Sequence, residues 1–311
     1  MSVVVEAVGP AAAAEVLGVV RAAFADRPAL DPPTDALAET EQGIAERLAA
    51  GGLLARVDGT PAGAVVLDPD SEPGVLYLRR FGVDPTVQGR GVARTLVEAA
   101  LREARRRGAD RVAIKAREEL PATIGFWRSM GFCEVGRTSP YVEMARPTPC
   151  AVDVETADDM RALGTRLAGD LRAGDVVVLS GELGAGKTTF TQGLGEGLGV
   201  RGGVTSPTFV IARVHPSLGE GPALVHVDVY RLGGAAELDD LDLDADLDAA
   251  VTVVEWGRGL AEALTDSPLE IRIERALATA PSDAGGAAAD PRRVVIEPLG
   301  PRWLGRPLTA R

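Results

Sequence analysis

The sequence predicts two consecutive α/β domains, each a sheet flanked by helices. Apolar stretches of strand length alternate with amphipathic stretches of helix length along most of the 311 residues. Two glycine-rich turns, "QGRGVA" and "GELGAGKTT", each follow an apolar stretch and precede a helical one. A chain of this length usually forms more than one domain, and Pro147 and Pro149 interrupt the pattern near its middle. We therefore expect domains at 1–146 and 152–311 with a linker at 147–151.

The first domain is predicted to begin with two helices, at 11–24 and 40–51, whose apolar residues recur at helical spacing. Two strands, 52–59 and 61–69, meet at Asp58-Gly59, a dipeptide typical of the tight turn in an antiparallel hairpin. The remaining predicted elements are a strand at 74–83, a helix at 91–108, a strand at 111–116, a helix at 122–131 and a strand at 141–146.

The second domain is predicted to begin with a helix at 157–171 and a strand at 175–181. The strand leads into the loop "GELGAGKTT", and a helix-compatible stretch leaves it. Five further strands are predicted, at 209–215, 223–230, 250–256, 269–276 and 292–300.

Composition excludes several classes of protein. The net charge of −12 argues against a main surface that binds nucleic acid through its phosphates. Two cysteines cannot build a disulfide framework or a four-cysteine metal site. No apolar run approaches the roughly 20 residues that span a bilayer, and the first residues do not resemble an export signal. We therefore expect a cytoplasmic protein with no membrane contact.

Residues 181–188, "GELGAGKT", match the phosphate-loop pattern G-x-x-x-x-G-K-[ST]. Glycines let successive backbone N–H groups point at phosphate oxygens, and the helix that follows adds its dipole. Thr188 offers a hydroxyl to Mg²⁺. The chain has only two lysines, Lys115 and Lys187, because its other lysine-or-arginine positions are all arginine. A lysine at position 187 is therefore informative. Its compact charge on a flexible stem suits a narrow phosphate site better than a planar guanidinium.

A phosphate loop needs a carboxylate from a neighbouring strand to complete its metal site. Asp228 in "LVHVDVYRL" and Glu255 in "VTVVEWG" both follow apolar runs. Each is expected to project from the carboxyl end of a buried strand, where open α/β sheets bind ligands. Carboxylates exposed at strand ends are the alternative interpretation.

Four motifs together, "GELGAGKTTF", "VTSPTFVI", "HVDVYRL" and "VVEWG", resemble the TsaE family of ATPases. The resemblance covers about 152–300 and implies a P-loop NTPase fold that binds ATP and Mg²⁺. It implies that Thr188 and Glu255 hold the metal, and that Asp228, Lys187 and Glu255 are catalytic. The ATP contacts that it implies are Gly184, Ala185, Gly186, Lys187, Thr188, Thr189, Thr205 and Trp256. Trp256 as plain core is an equal alternative, and Arg292 or Arg293 is a weaker candidate for an arginine near the nucleotide.

The TsaE resemblance also implies a biological role. The family supports formation of threonylcarbamoyladenosine (t6A) in tRNA through a complex with TsaB and TsaD, without performing the transfer itself. We therefore expect TsaB and TsaD homologues as partners, and tRNA only indirectly through them. An ordinary kinase or GTPase is a less favoured alternative, because no N-K-x-D motif for guanine is present.

The turn "QGRGVA" at 88–93 opens the longest predicted helix of the first domain. Its glycines free backbone N–H groups at a helix N-terminus, and Arg90 and Arg94 add positive charge, so a pyrophosphate is the natural ligand. By residue chemistry alone, any anion would fit.

This turn and the later "ATIGFWRSMGFCEVG" resemble the Gcn5-related N-acetyltransferase (GNAT) superfamily, over about 1–146. The resemblance implies a mixed-sheet α/β fold and acetyl transfer from acetyl-CoA to an amine. The acetyl-CoA contacts that it implies are Val83, Gln88, Gly89, Arg90, Gly91, Val92 and Ala93, with backbone from Phe81 to Val83 along the thioester.

The first domain departs from the GNAT pattern where many members place a tyrosine general acid. Trp127 stands there, and an indole cannot protonate a leaving thiolate. Tyr141, Cys133 or water are the candidate replacements. Arg79 and Arg80 occupy positions where a carboxylate base is sometimes found. The alternative is therefore a first domain without catalysis that senses CoA or docks the ATPase.

Overall fold

The computed structural model describes residues 2–28, 30–69, 72–207, 212–230, 248–257, 264–275 and 291–309. The chain divides into two compact units, Met1–Thr148 and Pro149–Arg311. Pro147 is the last residue of one strand and Cys150 the first residue of the next. Of the predicted linker 147–151, only residues 148 and 149 therefore lie between strands.

The first unit alternates strands and helices. Its strands are β1 (Val3–Val8), β2 (Gly52–Val57), β3 (Thr60–Asp68), β4 (Val75–Val83), β5 (Arg111–Arg117), β6 (Cys133–Thr138) and β7 (Tyr141–Pro147). Its helices are α1 (Ala13–Ala25), α2 (Glu41–Arg47), α3 (Val92–Arg106) and α4 (Pro121–Ser129). The strands form one mixed sheet in the order β1-β2-β3-β4-β5-β7-β6.

Helices cover both faces of this sheet. Apolar side chains of α3 and α4 form one core with the sheet, and those of α1 and α2 form a second core. The predicted hairpin is confirmed, because β2 and β3 pair antiparallel through the turn at Asp58-Gly59. Asp58 and Gly59 have positive φ angles of 47° and 86°. A type I′ turn requires positive φ at both central residues, and its twist matches that of the flanking strands.

Strands β4 and β5 diverge along their length. They pair in parallel only between Val75–Tyr77 and Arg111–Ala113, although β4 continues to Val83. The pairing of β3 with β4 also shifts register, and Arg80 has a positive φ of 53°. A bulge of this kind bends a strand, so the two strands open a gap in the middle of the sheet.

The second unit has a mostly parallel centre. Its strands are β8 (Cys150–Val154), β9 (Val176–Gly181), β10 (Ala212–His215), β11 (Ala223–Asp228), β12 (Ala250–Glu255), β13 (Leu269–Arg275) and β14 (Arg292–Pro298). Its described helices are α5 (Ala157–Ala168) and α6 (Lys187–Leu198). The sheet order is β10-β11-β12-β9-β13-β14-β8. Strands β11, β12, β9 and β13 run parallel, and antiparallel strands form the edges.

Helices α5 and α6 lie on one face of this sheet and pack against each other at very short range. A Cβ built on Gly193 would lie 2.0 Å from the Arg161 carbonyl oxygen, and one on Gly164 would lie 2.3 Å from the Phe190 carbonyl oxygen. The Thr165 hydroxyl also donates to the Gly193 carbonyl at 3.0 Å. The two helix backbones therefore touch, and only glycine fits at these contacts.

Three strands were not predicted: β1, β6 and β8. Each lies at or beside the edge of its sheet. The strand predicted at 209–215 is observed from Ala212, and its first three residues lie outside the described part of the chain.

Candidate functional site

The phosphate loop joins the buried strand β9 to α6. Gly184 and Gly186 have positive φ angles of 75° and 108°, which residues with a Cβ rarely adopt. Gly186 is the N-cap of α6, and no side chain caps the helix. The N–H groups of the first turn are therefore available to an anion, at the end where the helix dipole is positive. Ala185 is buried, and Thr189 is half-buried.

Lys187 is folded back over this loop. Its Nζ donates to the carbonyl oxygens of Gly181 at 3.0 Å and Glu182 at 3.2 Å. Only 5% of Lys187 is exposed, and burial lowers its pKa, opposed by the charges of Glu255 and Asp228. The ammonium thus lies inside the cradle where a phosphate would bind, close to two carboxylates.

Glu255 and Asp228 end the adjacent parallel strands β12 and β11 and lie directly beside each other in register. Glu255 Oε1 is 3.5 Å from the Thr188 hydroxyl. Asp228 Oδ1 accepts a hydrogen bond from the Tyr230 backbone at 3.1 Å. Both carboxylates are buried, so the structure brings together Lys187, Thr188 and the two predicted carboxylates.

His226 also belongs to this group, although it was not among the residues predicted from the sequence. Its Nε2 lies 2.9 Å from Glu255 Oε1, and the ring is fully buried. His226 precedes Asp228 by two residues on β11, so both side chains point to the same face. That spacing, in a chain with only two histidines, was the available signal.

Two arginines approach the loop from β13 and β14. Arg292 Nε donates to the Ala185 carbonyl at 3.2 Å, whereas Arg293 lies 3.8 Å from the carboxylate of Asp153. Of the two candidates from the tail, Arg292 therefore contacts the loop. An Arg275 nitrogen lies 3.6 Å from where a Cβ on Gly184 would be, and the sequence analysis did not identify this residue.

The remaining predicted ATP contacts occupy different settings. Trp256 has a positive φ of 64°, and its ring lies 4.2 Å from Lys187 Nζ and 5.3 Å from the Tyr230 ring. It also packs against the apolar cluster on the sheet face away from α6. The Thr205 hydroxyl accepts a hydrogen bond from Arg213.

The residues present fit a magnesium nucleotide. Mg²⁺ usually takes one or two protein oxygens and completes its shell with phosphate and water. Thr188 and Glu255 offer such a pair beside the loop. Within the described ranges, no cluster of three or more His, Cys, Asp or Glu side chains suits a metal. The donor set therefore suits a metal that arrives with a phosphate.

A cleft of about 720 Å³ fills the gap between β4 and β5 in the first unit. Val83, Gln88, Gly89 and Ala93 line it, which places four of the seven predicted acetyl-CoA contacts there. Arg90 and Gly91 are exposed, and the Val92 side chain is buried in the core. Val92 therefore has only its backbone to offer a ligand.

The turn before α3 is built like the phosphate loop. Gly89 and Gly91 have φ angles of 77° and 79°, and Gly91 is the N-cap of α3 without a side-chain cap. No atom lies within 4 Å of a Cβ built on either glycine. Backbone conformation, rather than crowding, therefore favours glycine, and the uncapped N-terminus of α3 fits a pyrophosphate.

Trp127 and the two side chains that could replace it as an acid, Tyr141 and Cys133, differ in position. Trp127 is buried, and its ring lies 4.9 Å from the rings of both Phe81 and Phe132. Tyr141 lines the cleft and is exposed. The Cys133 thiol contacts the Ala145 carbonyl at 3.4 Å, and Cys133 is not among the cleft residues. Tyr141 alone of the three combines an acidic O–H with a place at the cleft surface.

No helix in the described ranges is long and apolar enough to cross a bilayer.

Comparison with known proteins gives two family matches. The profile described as "Threonylcarbamoyl adenosine biosynthesis protein TsaE" matches residues 154–280. The profile described as "Acetyltransferase (GNAT) family" matches residues 19–132.

Individual relatives and solved structures are also similar to parts of this chain. The chain is 64% identical over 145 residues to the TsaE protein of Streptomyces coelicolor, covering 46% of this chain and 93% of the relative. It is 42% identical over 120 residues to TsaE of Bacillus subtilis, covering 38% of this chain and 73% of the relative. YdiB of Bacillus subtilis is similar in structure, with 31% identity, a TM-score of 0.38 and coverage of 50% and 88%. The PaiA N-acetyltransferase of Thermoplasma acidophilum, solved with coenzyme A, gives 14% identity, a TM-score of 0.42 and coverage of 47% and 99%.

Proposed function

The chain belongs to the TsaE family and carries a GNAT-family domain in its first unit, and from this premise we propose a bifunctional protein. Its second unit is a Mg²⁺-dependent ATPase that supports t6A formation in tRNA together with TsaB and TsaD homologues. Its first unit transfers acetyl groups from acetyl-CoA to an amine. A role in tRNA modification would place the protein in the cytoplasm.

One arrangement carries the ATPase proposal: Lys187, Thr188 and Glu255 converge at the N-terminus of α6, which no side chain caps. Thr188 and Glu255 would hold Mg²⁺, which when bound neutralises charge on the phosphate oxygens. Lys187 would exchange the carbonyls of Gly181 and Glu182 for phosphate oxygens. Asp228, buried beside Glu255, would orient the attacking water.

Reconstitution of t6A formation tests the biological role. The full chain is combined with TsaB and TsaD from the same source, tRNA, ATP and the threonylcarbamoyl donor. We expect t6A to accumulate over many turnovers only when the full chain and hydrolysable ATP are both present. Equal t6A yield without the chain would contradict the role.

The variant Glu255→Gln is expected to weaken Mg²⁺-dependent hydrolysis more than ATP binding. The amide is nearly the same size but lacks the charge that attracts the metal, so hydrolysis should fall by about 100-fold. Isothermal titration with ATP, with and without Mg²⁺, and a phosphate-release assay measure both quantities. Glu220→Gln, on an exposed loop, is the matched control. Equal losses of hydrolysis and of Mg²⁺-free ATP binding would count against a metal role for Glu255.

The transferase proposal rests on the cleft between β4 and β5 and on the uncapped turn at its edge. The turn would bind the pyrophosphate through its N–H groups, and the cleft would hold the thioester and the amine. Acetyl-CoA consumption against a panel of amines tests it. Gly91→Glu is the control that should not bind acetyl-CoA. It places a carboxylate beside the expected pyrophosphate and forces a residue with a Cβ into the positive φ of Gly91.

Because Trp127 is buried and cannot act as an acid, a second candidate function is that the first unit binds CoA without turnover. A substitution of Tyr141 distinguishes this function from that of a transferase. If the unit is a transferase, Tyr141→Phe should slow acetyl transfer without changing CoA affinity. CoA binding with no turnover toward any amine would favour the sensing module.

A further inference from the structure

The cleft of the first unit has two chemically different sides. Ile114 and Ala116 of β5 belong to the core beneath α3 and α4. Because side chains alternate along a strand, Lys115 and Arg117 point to the opposite side, where α1 and its following loop lie. Gln88 and Gly89 line the cofactor side, so the opposite side is where an acetyl acceptor would enter.

Three arginines of this acceptor side already have carboxylate partners. Arg79 lies 3.1 Å from Asp68, Arg80 lies 2.6 Å from Glu39, and Arg117 lies 2.7 Å from Glu119. Arg117 also donates to the backbone carbonyls of Asp31 and Pro32. Arg80 and Arg117 thus connect the segment after α1 to β4 and β5, and all three arginines are paired with carboxylates.

Two cations of the acceptor side are not matched. In the described part of the chain, neither Lys115 nor Arg27 has a carboxylate oxygen within 4.0 Å. Arg27 lies 3.7 Å above the Phe24 ring and makes one long hydrogen bond, 3.4 Å, to the Phe81 carbonyl. Arg27 is half-buried, which lowers its pKa, whereas Lys115 is exposed.

The nearby acidic residues of the described ranges form no ion pair with either cation. Glu143 lies opposite Lys115 where β5 pairs with β7, but its carboxylate accepts a hydrogen bond from the Tyr77 hydroxyl. Asp35 is 74% exposed and bonded to Arg80, and Asp26 is exposed at the end of α1. A positive charge without an ion-pair partner attracts an anion, and a half-buried cation does so more strongly than the same charge in open water. The cleft therefore offers an anion site on the side from which the amine arrives.

We propose that the acetyl acceptor is a small amine that also carries a carboxylate, such as an amino acid, and that Lys115 and Arg27 bind this carboxylate. The inference rests on the proposed transferase function. Nearby cations also favour the neutral form of an amine. They thereby assist loss of the proton that must leave before nitrogen attacks the thioester carbon, the C–S bond breaks and the CoA thiol departs.

Binding of matched ligand pairs tests the proposal. The full chain, saturated with CoA, is titrated calorimetrically with amino acids, with their α-carboxamides and with spermidine. Free amino acids should bind about 10-fold or more tightly than their amides. Lys115→Ala and Arg27→Gln should each reduce this preference. Lys115→Arg should keep it, as should Arg102→Gln, which removes an exposed charge from α3.

Equal or tighter binding of amides or spermidine would overturn the proposal, as would absence of binding by every amine. Acetylation of Lys115 itself, seen in the intact protein mass, would also overturn it, because the modified residue has no charge. Carboxylate-selective binding that Lys115→Ala abolishes, without acetyl transfer, would support the acceptor site and contradict the transferase proposal.

A second inference concerns His226 and stands on separate observations. Its Nε2 lies 2.9 Å from Glu255 Oε1, the same oxygen that lies 3.5 Å from the Thr188 hydroxyl. Its Nδ1 is buried without a hydrogen-bond partner in the described part of the chain. An unpaired buried nitrogen is unfavourable, and a leucine would fill the position without that cost.

We infer that His226 is a positioning residue: it donates Nε2–H to Glu255 and holds the carboxylate toward Thr188. Groups that bond to a ligating side chain fix its orientation and affect metal affinity. The inference rests on the proposed metal role of Glu255. It predicts a specific effect on Mg²⁺ rather than a general effect on the nucleotide site.

The test compares His226→Leu, which removes the donor, with His226→Gln, which keeps an N–H. The readout is the Mg²⁺ concentration that gives half-maximal enhancement of ATP binding. His226→Leu should raise this concentration by about 10-fold and leave Mg²⁺-free ATP affinity nearly unchanged, and His226→Gln should restore most of the difference. An unaltered Mg²⁺ requirement in His226→Leu would overturn the inference. Equal losses in both variants, with Mg²⁺-free affinity also lost, would indicate a merely structural role.

Discussion

Replacing Lys187 with alanine is expected to abolish detectable ATP binding by the second unit. Lys187 Nζ is enclosed by the carbonyls of Gly181 and Glu182 and by the Trp256 ring. A charge-assisted hydrogen bond contributes about 1.5–3 kcal/mol, and two bonds to phosphate oxygens would be lost. Isothermal titration with Mg²⁺-ATP should show at least about a 100-fold loss of affinity.

The shape of the site adds a second expectation for Lys187. Only 5% of the residue is exposed, so the broader guanidinium of Lys187→Arg should not fit and should not restore binding. Arg306→Ala, which removes an exposed positive charge from the C-terminal segment, should bind ATP normally. Unchanged nucleotide affinity in Lys187→Ala would contradict the phosphate-loop assignment.

Replacing Gly193 with alanine is expected to lower the stability of the second unit sharply. Helix propensity alone predicts the opposite, since alanine in a helix interior is favoured over glycine by about 1 kcal/mol. The new Cβ would lie 2.0 Å from the Arg161 carbonyl oxygen, however, and a backbone cannot turn aside as a side chain can. Overpacking costs of about 3 kcal/mol or more should outweigh propensity. Calorimetry should show a fall of about 10 °C in Tm.

Gly18→Ala provides a control of opposite sign for Gly193→Ala. Gly18 lies inside α1, is exposed and has no atom within 4 Å of a built Cβ. Only propensity acts there, so the substitution should leave the Tm unchanged or raise it slightly. A Gly193→Ala variant as stable as the original chain would show that α5 and α6 separate easily, against the close contact in the structure.

The sequence predicted the elements with strong periodic signals and missed three of the four strands that form the sheet edges, β1, β6 and β8. Strand β6 is short, mostly exposed and shifts register near Gly136, so its alternation is weak. Strand β8 follows Pro149, and the prolines that indicated a linker obscured it. Edge strands bury only part of their surface, which leaves little hydrophobic pattern to detect.

The residues of the candidate sites also differ in whether the sequence could identify them. Residues with a fixed place in a motif, such as Lys187 and Thr188, could be identified from spacing alone. His226 and Arg275 could not, because their positions depend on which strands become neighbours in the sheet. The unmatched charge of Lys115 likewise depends on where its possible partners lie, which the linear sequence does not contain.

Trp256 has a consequence for optical measurements on the intact protein. Of the three tryptophans, Trp127 and Trp303 are buried, with 4% and 2% exposed. Trp256 instead contacts the ammonium of Lys187 and the ring of Tyr230. Any ligand that draws Lys187 away from the indole would change the emission of Trp256. Nucleotide binding to the second unit would then be visible without a label when the occupancy of the first unit's cleft, which Trp127 lines, is held constant.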